Sequence, residues 1–545
     1  MKVGILATLW SPDWDFRGGI SGAKIAGVGL LKALLLHAHQ VEVFDVFVPP
    51  PLQSAWLSFQ KWIRRSGVPE ERLHLRPATD LPKVLRQETF LAFHGSPPPD
   101  WNNLLALRHF ARDPFVCTAT MYGISYDFLL PQLATAFLRG VSSADSLICA
   151  THVQKEALLR LLGRACPWHG TDFPRLEELT TLIPLGVDAK RFMPSGEKLT
   201  IRSWLGLPED GTLLLSLGRL SPGGKADLIP LLRAFGIVRK SIPSAWLVIA
   251  GEEGRPGVAE RLSQYAHELN VADRVIILPS IPESIKPALY NAADVFVALS
   301  DTLQETFGIV LLEAMACGLP VVAADWDGYR EVVTEGETGY LVPTWWAKCD
   351  EQFNLLSALS AWEVDHFYLA QSVPLDSEML VERLLQLLRD STLRREIGLK
   401  GRERVEQNFS WELIVPQYES LWFNKAQVLN SAPLTAQPLL PRYWETFRHY
   451  AAHQLNLDTW VSLTDFGHLV LEGRESLVVY EEMSLILDDT LLDFFMNRLT
   501  QGRQSVEVLC REVSRHDPSW SEEQMTYHLL WLAKQGVVSF RPSSG

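Results

Sequence analysis

The chain reads as an α/β protein: two doubly wound parallel sheets facing a cleft, followed by a small α+β unit. Three observations carry this reading. Short β-rich runs alternate with longer helical stretches from residue 2 onward, and the alternation restarts at residue 211. It weakens after "GYLVP", and a Pro-containing stretch, "NSAPLTAQPLLP", precedes a helical end piece. The length, 545 residues, is too great for one core and calls for two domains or three.

"KVGILAT" is a first strand, "LWSPDWDFRGGISG" a loop, "AKIAGVGLLKALLLHAHQ" a helix and "VEVFDVFV" the next strand, together one βαβ unit. Further strands are expected at "TFLAFHG", "FVCTAT" and "SLICAT", and the first layer ends in "TLIPLGVDAKRFMP". The first domain is therefore placed at residues 1–194. A second set runs through "GTLLLSLGRL", "AWLVIAGEEG", "RVIILPSI", "DVFVALSD" and "PVVAADWDG", giving a second domain at 195–410. Two such sheets present the carboxyl ends of their strands to a common cleft. Residues 344–373 are aromatic-rich and match neither repeat; they read as an inserted helical excursion, serving either a partner or acceptor contact or extra packing. Residues 429–442 read as a linker, and 443–545 as a separate accessory domain.

Composition narrows the function. The net charge of −14 disfavours nucleic acid as a partner. No apolar run is long enough to span a membrane, no signal-peptide pattern opens the chain, and the six cysteines are scattered. A cytoplasmic location is the expectation, with peripheral membrane contact left open. Neither H-E-x-x-H nor C-x-x-C occurs, so no metal and no cofactor is expected.

The chemistry centres on "QETFGIVLLEAMACG", where Glu305 precedes an apolar run and Glu313 interrupts it. Burying a carboxylate there is costly unless it has a partner. A helix is expected from Thr306 or Phe307 to Cys317, stopped by Gly318. Its first N–H groups suit a phosphate. Eight residues at helical rise would separate the carboxylates by roughly 12 Å, about the span from a ribose to a sugar across a diphosphate. Each could accept two hydroxyl hydrogen bonds. The alternative is a structural Arg bridge at Glu313 and a solvated Glu305. In "LGRLSPGGKADL", Arg219 and Lys225 follow the first strand of the second set, a fork and a point charge suited to a diphosphate leaving group. "FRGGISG" supplies Gly18 and Gly19 before the first helix, where backbone can approach phosphate or sugar. It is not G-x-G-x-x-G, which argues against a nicotinamide cofactor.

Taken together, "GRLSPGGK", "GEEG", "LYNAADVFVALSD", "ETFGIVLLEAMACGLPVVAAD" and "GETGYLVP" resemble glycosyltransferase family 4, of the GT-B fold with two Rossmann-like domains. "IPLGVDAKRF" is similar to that family's inter-domain crossing, and "FSWELIVPQYESLW" to its closing helix, placed at 411–428 and returning to the first domain. The resemblance implies that Arg219 and Lys225 bind the donor diphosphate, Glu313 the ribose, and Glu305 hydroxyls of the transferred sugar. Backbone at Phe307, Gly308, Ile309 and Val310 would meet phosphate and sugar, with Gly18 and Gly19 beside the phosphate and acceptor. It further implies a retaining, metal-independent transfer from a nucleotide sugar to an acceptor hydroxyl, the acceptor being unknown. A histidine usual in the family is absent from "FVCTATMYGISY", where Thr120 or Met121 stands; His94, in "LAFHGSPPPD", is a candidate near the sugar or a plain loop residue. Asp327 stands where glycine is frequent. A catalytically silent nucleotide-sugar-binding or scaffold protein is the alternative.

Residues 488–545 read as three helices, "DDTLLDFFMNRLTQG", "SVEVLCREVSRH" and "SEEQMTYHLLWLAKQG", and a strand, "VVSF". With "SLVVYEE" upstream they suggest a winged-helix-like unit. Six Arg and Lys against eight Asp and Glu exclude a DNA-binding surface. The unit is loosely similar to the winged-helix peptide-binding proteins of pyrroloquinoline-quinone biosynthesis, which implies a peptide partner; protein docking or dimerisation is the other reading.

Overall fold

The computed structural model describes residues 1–6, 22–48, 52–96, 100–126, 128–166, 175–349, 353–354, 364–431, 443–477, 479–480, 483 and 486–541. The chain forms two compact units, Met1–Leu439 and Leu440–Gly545.

The first unit contains two parallel sheets. The first is built from β1 (Lys2–Leu6), β2 (Val43–Val48), β3 (Leu73–Pro77), β4 (Ala92–Gly95), β5 (Val116–Thr120), β6 (Ser146–Cys149) and β7 (Thr180–Leu182), in the order β3-β2-β1-β4-β5-β6-β7. The second comprises β8 (Leu213–Leu217), β9 (Trp246–Gly251), β10 (Val275–Pro279), β11 (Val295–Ala298), β12 (Val321–Asp325) and β13 (Gly339–Pro343), ordered β10-β9-β8-β11-β12-β13. Helices cover both faces, so the inner strands are buried along their length: β5, β8 and β11 have no exposed residue. Strand order reverses beside β1 in one sheet and between β8 and β11 in the other. Those switch points are where loops diverge and leave a crevice.

Strand β3, with the sequence Leu-His-Leu-Arg-Pro, is absent from the sequence reading. It is an edge strand with one fully buried residue, so it lacks the continuous apolar run of the inner strands. The helix Trp411–Ser431 returns to the first sheet, where Trp411, Ile414, Tyr418 and Trp422 enter the core with Val3, Leu30 and Phe44. Its Glu419 carboxylate accepts from the backbone N–H of His39, Gln40 and Val41 at 2.7–3.1 Å. At the crossing, Gly186 lies flat against Trp411, and a Cβ there would sit 2.5 Å from the indole. In the inserted excursion, the helix Val364–Ala370 is seen and Trp346 Nε1 donates to Ser372 Oγ at 3.0 Å; residues 350–352 and 355–363 lie outside the described residues, as does the stretch 432–442 of the expected linker. No helix among the described residues is long and apolar enough to cross a membrane.

The second unit carries an antiparallel sheet of β14 (Trp460–Leu463), β15 (Gln504–Ser505) and β16 (Val538–Arg541), ordered β15-β14-β16. Its three expected helices are Asp489–Leu499, Val506–His516 and Glu522–Lys534. Asp488, Ser505 and Ser521 cap them by accepting from backbone N–H groups, as their residue types suggest. Gly502 and Gly536 stand at φ +115° and +79° after the first and third. Strand β14 was not anticipated: only Val461 of its four residues is fully buried, and its partners lie far along the chain. Residues 478, 481 and 482 of "SLVVYEE" fall outside the described set.

Candidate functional site

The apolar strand β8 ends at Leu217 and delivers the turn Gly218–Lys225 to the switch point of the second sheet. Ser221 closes the turn: its carbonyl accepts from Lys225 N at 2.9 Å and its Oγ from Gly224 N at 3.1 Å. Arg219 Nη2 donates to the Gly224 carbonyl at 3.0 Å, which folds the guanidinium over the turn. The neighbouring β11 loop fixes this turn from the side. Thr302 Oγ1 donates to Gly223 O at 3.0 Å and Ser300 Oγ to Lys225 O at 2.9 Å.

These bonds bring Lys225 to Glu305, and the ammonium donates to Glu305 Oε2. Tyr329 OH donates to the same oxygen at 3.2 Å, and Phe307 N to Oε1 at 3.4 Å. Burial pushes the Glu305 carboxyl up, but the charge and hydrogen bond of Lys225, aided by Phe307 and Tyr329, outweigh it and hold it below the usual range. The solvated Glu305 of the alternative reading is therefore not what the structure shows.

The helix expected from Thr306 or Phe307 starts later, at Ile309, and runs to Ala316. The reason is Gly308, at φ +91°, where a Cβ would meet the Tyr329 ring at 2.4 Å. Glu305 thus precedes the helix on an irregular segment, so the axial separation computed for one continuous helix does not apply. Gly318, at φ +74°, ends the run where expected.

Glu313 sits on the buried side of this short helix. Its partners are Tyr290 OH, donating to Oε2 at 2.8 Å, and Lys286 Nζ at 3.9 Å; among the described residues no Arg bridge forms. Burial, only partly opposed by Lys286, raises its carboxyl above the ordinary range. Glu313 and Ile309 border a cleft of about 830 Å³ whose other wall comes from the first lobe, including Lys24, Lys32 and Gly186. Arg219, Lys225 and Val310 line a small cavity of about 30 Å³ with Tyr329. Ile309 and Val310 are consecutive, so the start of one helix borders both spaces. Gly18 and Gly19 lie outside the described residues.

His94 is not at the cleft. It is fully buried beneath the Trp411–Ser431 helix, with Nδ1 2.9 Å from Thr118 Oγ1, Nε2 3.3 Å from Thr120 Oγ1, and Tyr418 and Trp422 edge-on to the ring. Burial lowers its pKa to about 3. The candidate near-sugar histidine is a core residue. Sequence position alone misled, because β4 ends under a helix contributed from more than 300 residues away.

Other groups gather at the same place without having been singled out as site residues. The lobes meet where Thr306 Oγ1 donates to Tyr122 O at 3.2 Å and Thr151 Oγ1 to Thr306 O at 3.1 Å. Glu331 accepts from the N–H groups of His152 and Val153 at 2.9 and 3.0 Å, at the start of the His152–Ala165 helix. Asp327 occupies the left-handed region at φ +47°, which gives the physical reason a glycine suits that position. Burial, with the Glu305 charge adding to it, pushes its carboxyl up to about 7. Among the described residues, no three His, Cys, Asp or Glu side chains gather in a metal-binding group.

Residues 197–357, which contain Arg219, Lys225, Glu305 and Glu313, match the model of the group 1 glycosyl transferases. The D-inositol 3-phosphate glycosyltransferase of Xylanimonas cellulosilytica is 34% identical over 216 residues, 38% of this chain and 48% of that protein. The protein of the same name from Thermomonospora curvata is 30% identical over 312 residues, 55% of this chain and 61% of that one. The chain thus spans about half the length of the curated relatives it matches. Anabaena Alr3699/HepE, solved in complex with UDP and glucose, superimposes with a TM-score of 0.55 at 20% identity, over 79% of this chain and all of that one. Sucrose-phosphate synthase from Thermosynechococcus elongatus gives 0.51 at 21% identity, with the same coverage. The two-lobed unit has the GT-B fold, and its second lobe carries a segment of the group 1 glycosyl transferase type.

Proposed function

We propose that the chain is a glycosyltransferase that moves a sugar from a nucleoside diphosphate sugar to an acceptor hydroxyl, with retention at the anomeric carbon and without a metal ion. The observation that carries the reading is the convergence of Arg219, Lys225 and Glu305 at the start of the Ile309–Ala316 helix, with Glu313 bordering the adjoining inter-lobe cleft. The diphosphate would lie over the first turn of that helix, where N–H groups lack intrahelical acceptors. Arg219 and Lys225 would neutralise the charge that builds on the leaving phosphate as the bond from the anomeric carbon to oxygen breaks. Glu305 would take sugar hydroxyls, and Glu313 the ribose diol. The acceptor oxygen would attack from the face the phosphate leaves, and its proton would pass to the departing phosphate oxygen.

UDP and glucose, bound by Alr3699/HepE, make UDP-glucose the first donor to try, alongside GDP and ADP sugars. Purified chain incubated with each donor should release nucleoside diphosphate slowly. Lys225→Ala and Glu313→Ala should abolish that release or the binding of the donor. Undiminished turnover in either folded variant overturns the assigned role. The second reading, a silent binder or scaffold, is favoured by one feature: Thr120 stands near where the resemblance expects a histidine, and it is spent on Tyr418 OH at 3.0 Å. Tight donor binding without release in any condition would support it.

For the second unit we propose an extended peptide or protein partner. Among the described residues β16 pairs with β14 alone, and Tyr527 and Leu530 are exposed on the Glu522–Lys534 helix that precedes it. Peptides selected on the full chain should lose binding on Ser539→Pro; binding that survives this change places the partner elsewhere.

A further inference from the structure

A second cavity lies on the opposite side of the turn that carries Lys225. It measures about 340 Å³, within the range of small-molecule sites. Its walls are largely apolar, from Leu220, Leu228, Val258, Leu262, Tyr265 and Phe367. Arg255 and Arg261 also border it; both are solvent-exposed, and among the described residues neither guanidinium has an ion-pair or hydrogen-bond partner. A third cation stands nearby, since Arg233 Nε donates to Tyr265 OH at 2.7 Å. Among the described residues the only carboxylate in the lining, Asp227, is already engaged. It caps Ile229 N at 3.0 Å and accepts from Gln371 Nε2 at 3.3 Å.

The near wall of this cavity is the Gly218–Lys225 turn itself. Gly223 presses against the backbone of Phe367, where a Cβ would sit 2.8 Å from its Cα, so the Val364–Ala370 helix seats directly on the turn. The other side of the turn presents Arg219 and Lys225 to the donor space. One short segment therefore separates the two cavities, and it has little slack: Ser221, Thr302 and Ser300 all tie it down.

We propose that this cavity is an effector site for an amphipathic anion, a compact aliphatic or aryl body carrying one carboxylate or phosphate. The apolar walls would take the body, and Arg255 and Arg261 the head group. Occupancy would bear on the Leu220–Ala226 segment and so on the position of Lys225, which couples the site to donor binding. The coupling rests on the donor-site reading; the binding does not.

Decanoate is the probe, titrated calorimetrically into the full chain, with decanol and decyltrimethylammonium as tail-matched controls. Decanoate is expected to bind at one saturable site with Kd of about 10–100 µM, and each control at least about tenfold more weakly. The double variant Arg255→Glu/Arg261→Glu changes two exposed side chains and should fold. It should weaken decanoate at least about tenfold, while Arg255→Lys/Arg261→Lys restores most of the affinity. Saturating decanoate should change the Kd for UDP by about threefold or more, and UDP should change the Kd for decanoate by the same factor. Equal binding of all three amphiphiles, or binding unaffected by the charge reversal, overturns the site. Decanoate binding without any change in a measurable UDP affinity overturns the coupling. A chain that binds decanoate but no nucleotide would refute the donor reading and leave the effector site standing.

Discussion

Replacing Lys225 by Met tests the centre of the site through stability as well as activity. The Glu305 side chain is 9% exposed and Lys225 24%. Removing the ammonium leaves a buried carboxylate with two long hydrogen bonds, from Tyr329 at 3.2 Å and Phe307 at 3.4 Å. Breaking a fully buried pair costs about 3–5 kcal/mol; the solvent contact of Lys225 reduces this to about 2–3 kcal/mol. For the compact unit Met1–Leu439, whose unfolding entropy is about 0.9 kcal/mol/K, that is a fall in Tm of about 2–3 °C. The pH dependence carries the sharper test. In the wild type the Glu305 carboxyl titrates below its ordinary 4.5, so the pair contributes stability above that pH and loses it as acid approaches the folded value. In Lys225→Met the burial that pushes the carboxyl up is no longer outweighed, and the folded state is penalised as pH rises past 4.5. The Tm difference between wild type and variant should therefore widen from pH 4.5 to neutrality. Adding Glu305→Gln removes the stranded charge and should recover most of the loss at pH 7.5. A Tm gap independent of pH, or no recovery in the double variant, would show that the pair does not have the electrostatic role given to it.

Three further changes separate site from scaffold. Glu313→Gln keeps an acceptor for Tyr290 but gives up the carboxyl that the proposed reaction assigns to the ribose diol, so the Kd for UDP, read by calorimetry, should rise about 10–100-fold. His94→Asn should cost about 1–3 kcal/mol of stability while leaving turnover per folded molecule near wild type. Because burial lowers the His94 pKa from 6.5 to about 3, the wild type loses stability as pH falls between those values, and thermal scans of the variant should lack that component. Asp327→Gly removes a left-handed side chain worth about 1 kcal/mol of strain. It also removes a carboxyl raised from 3.8 to about 7, a penalty that grows with pH between those values, so the gain in Tm should be largest at pH 7 and above.

The fold was legible where burial imposed a continuous apolar run, as in β8 and β11, and where chemistry punctuated helices, as at Ser521 or Gly536. It was not legible at β3 or β14, whose short, partly exposed sequences become strands only because a neighbour offers an edge. The site divides in the same way. Glu305 and Glu313 stand out because a carboxylate in an apolar run demands a partner, and Arg219 and Lys225 because cations follow a buried strand. Which carboxylate takes which partner was not readable. Lys225 reaches Glu305 through tertiary hydrogen bonds from Ser300 and Thr302, and Tyr290 reaches Glu313 from a separate helix. His94 shows the converse: a strand-end histidine is a site candidate by position until a distant helix covers it.

The Lys225–Glu305 contact has a consequence for how a donor would be recognised. Glu305 is nearly enclosed, and its ionised form depends on Lys225 first and on two weaker donors second. A diphosphate alone would have to share Lys225 with that carboxylate, so part of its attraction is already spent. A diphosphate bearing a sugar brings hydroxyls that can donate to Glu305 in place of the ammonium, freeing Lys225 for the phosphate. Recognition of sugar and phosphate would then be cooperative through one ion pair, not additive from two separate contacts. The expected outcome is that the nucleotide sugar binds more tightly than the nucleotide diphosphate in the wild type, and that Glu305→Gln, which releases Lys225 outright, reverses the order by strengthening the diphosphate and weakening the sugar conjugate. Calorimetric titration of both ligands into both proteins measures the four affinities; an unchanged ratio between them would mean that the ammonium is not shared.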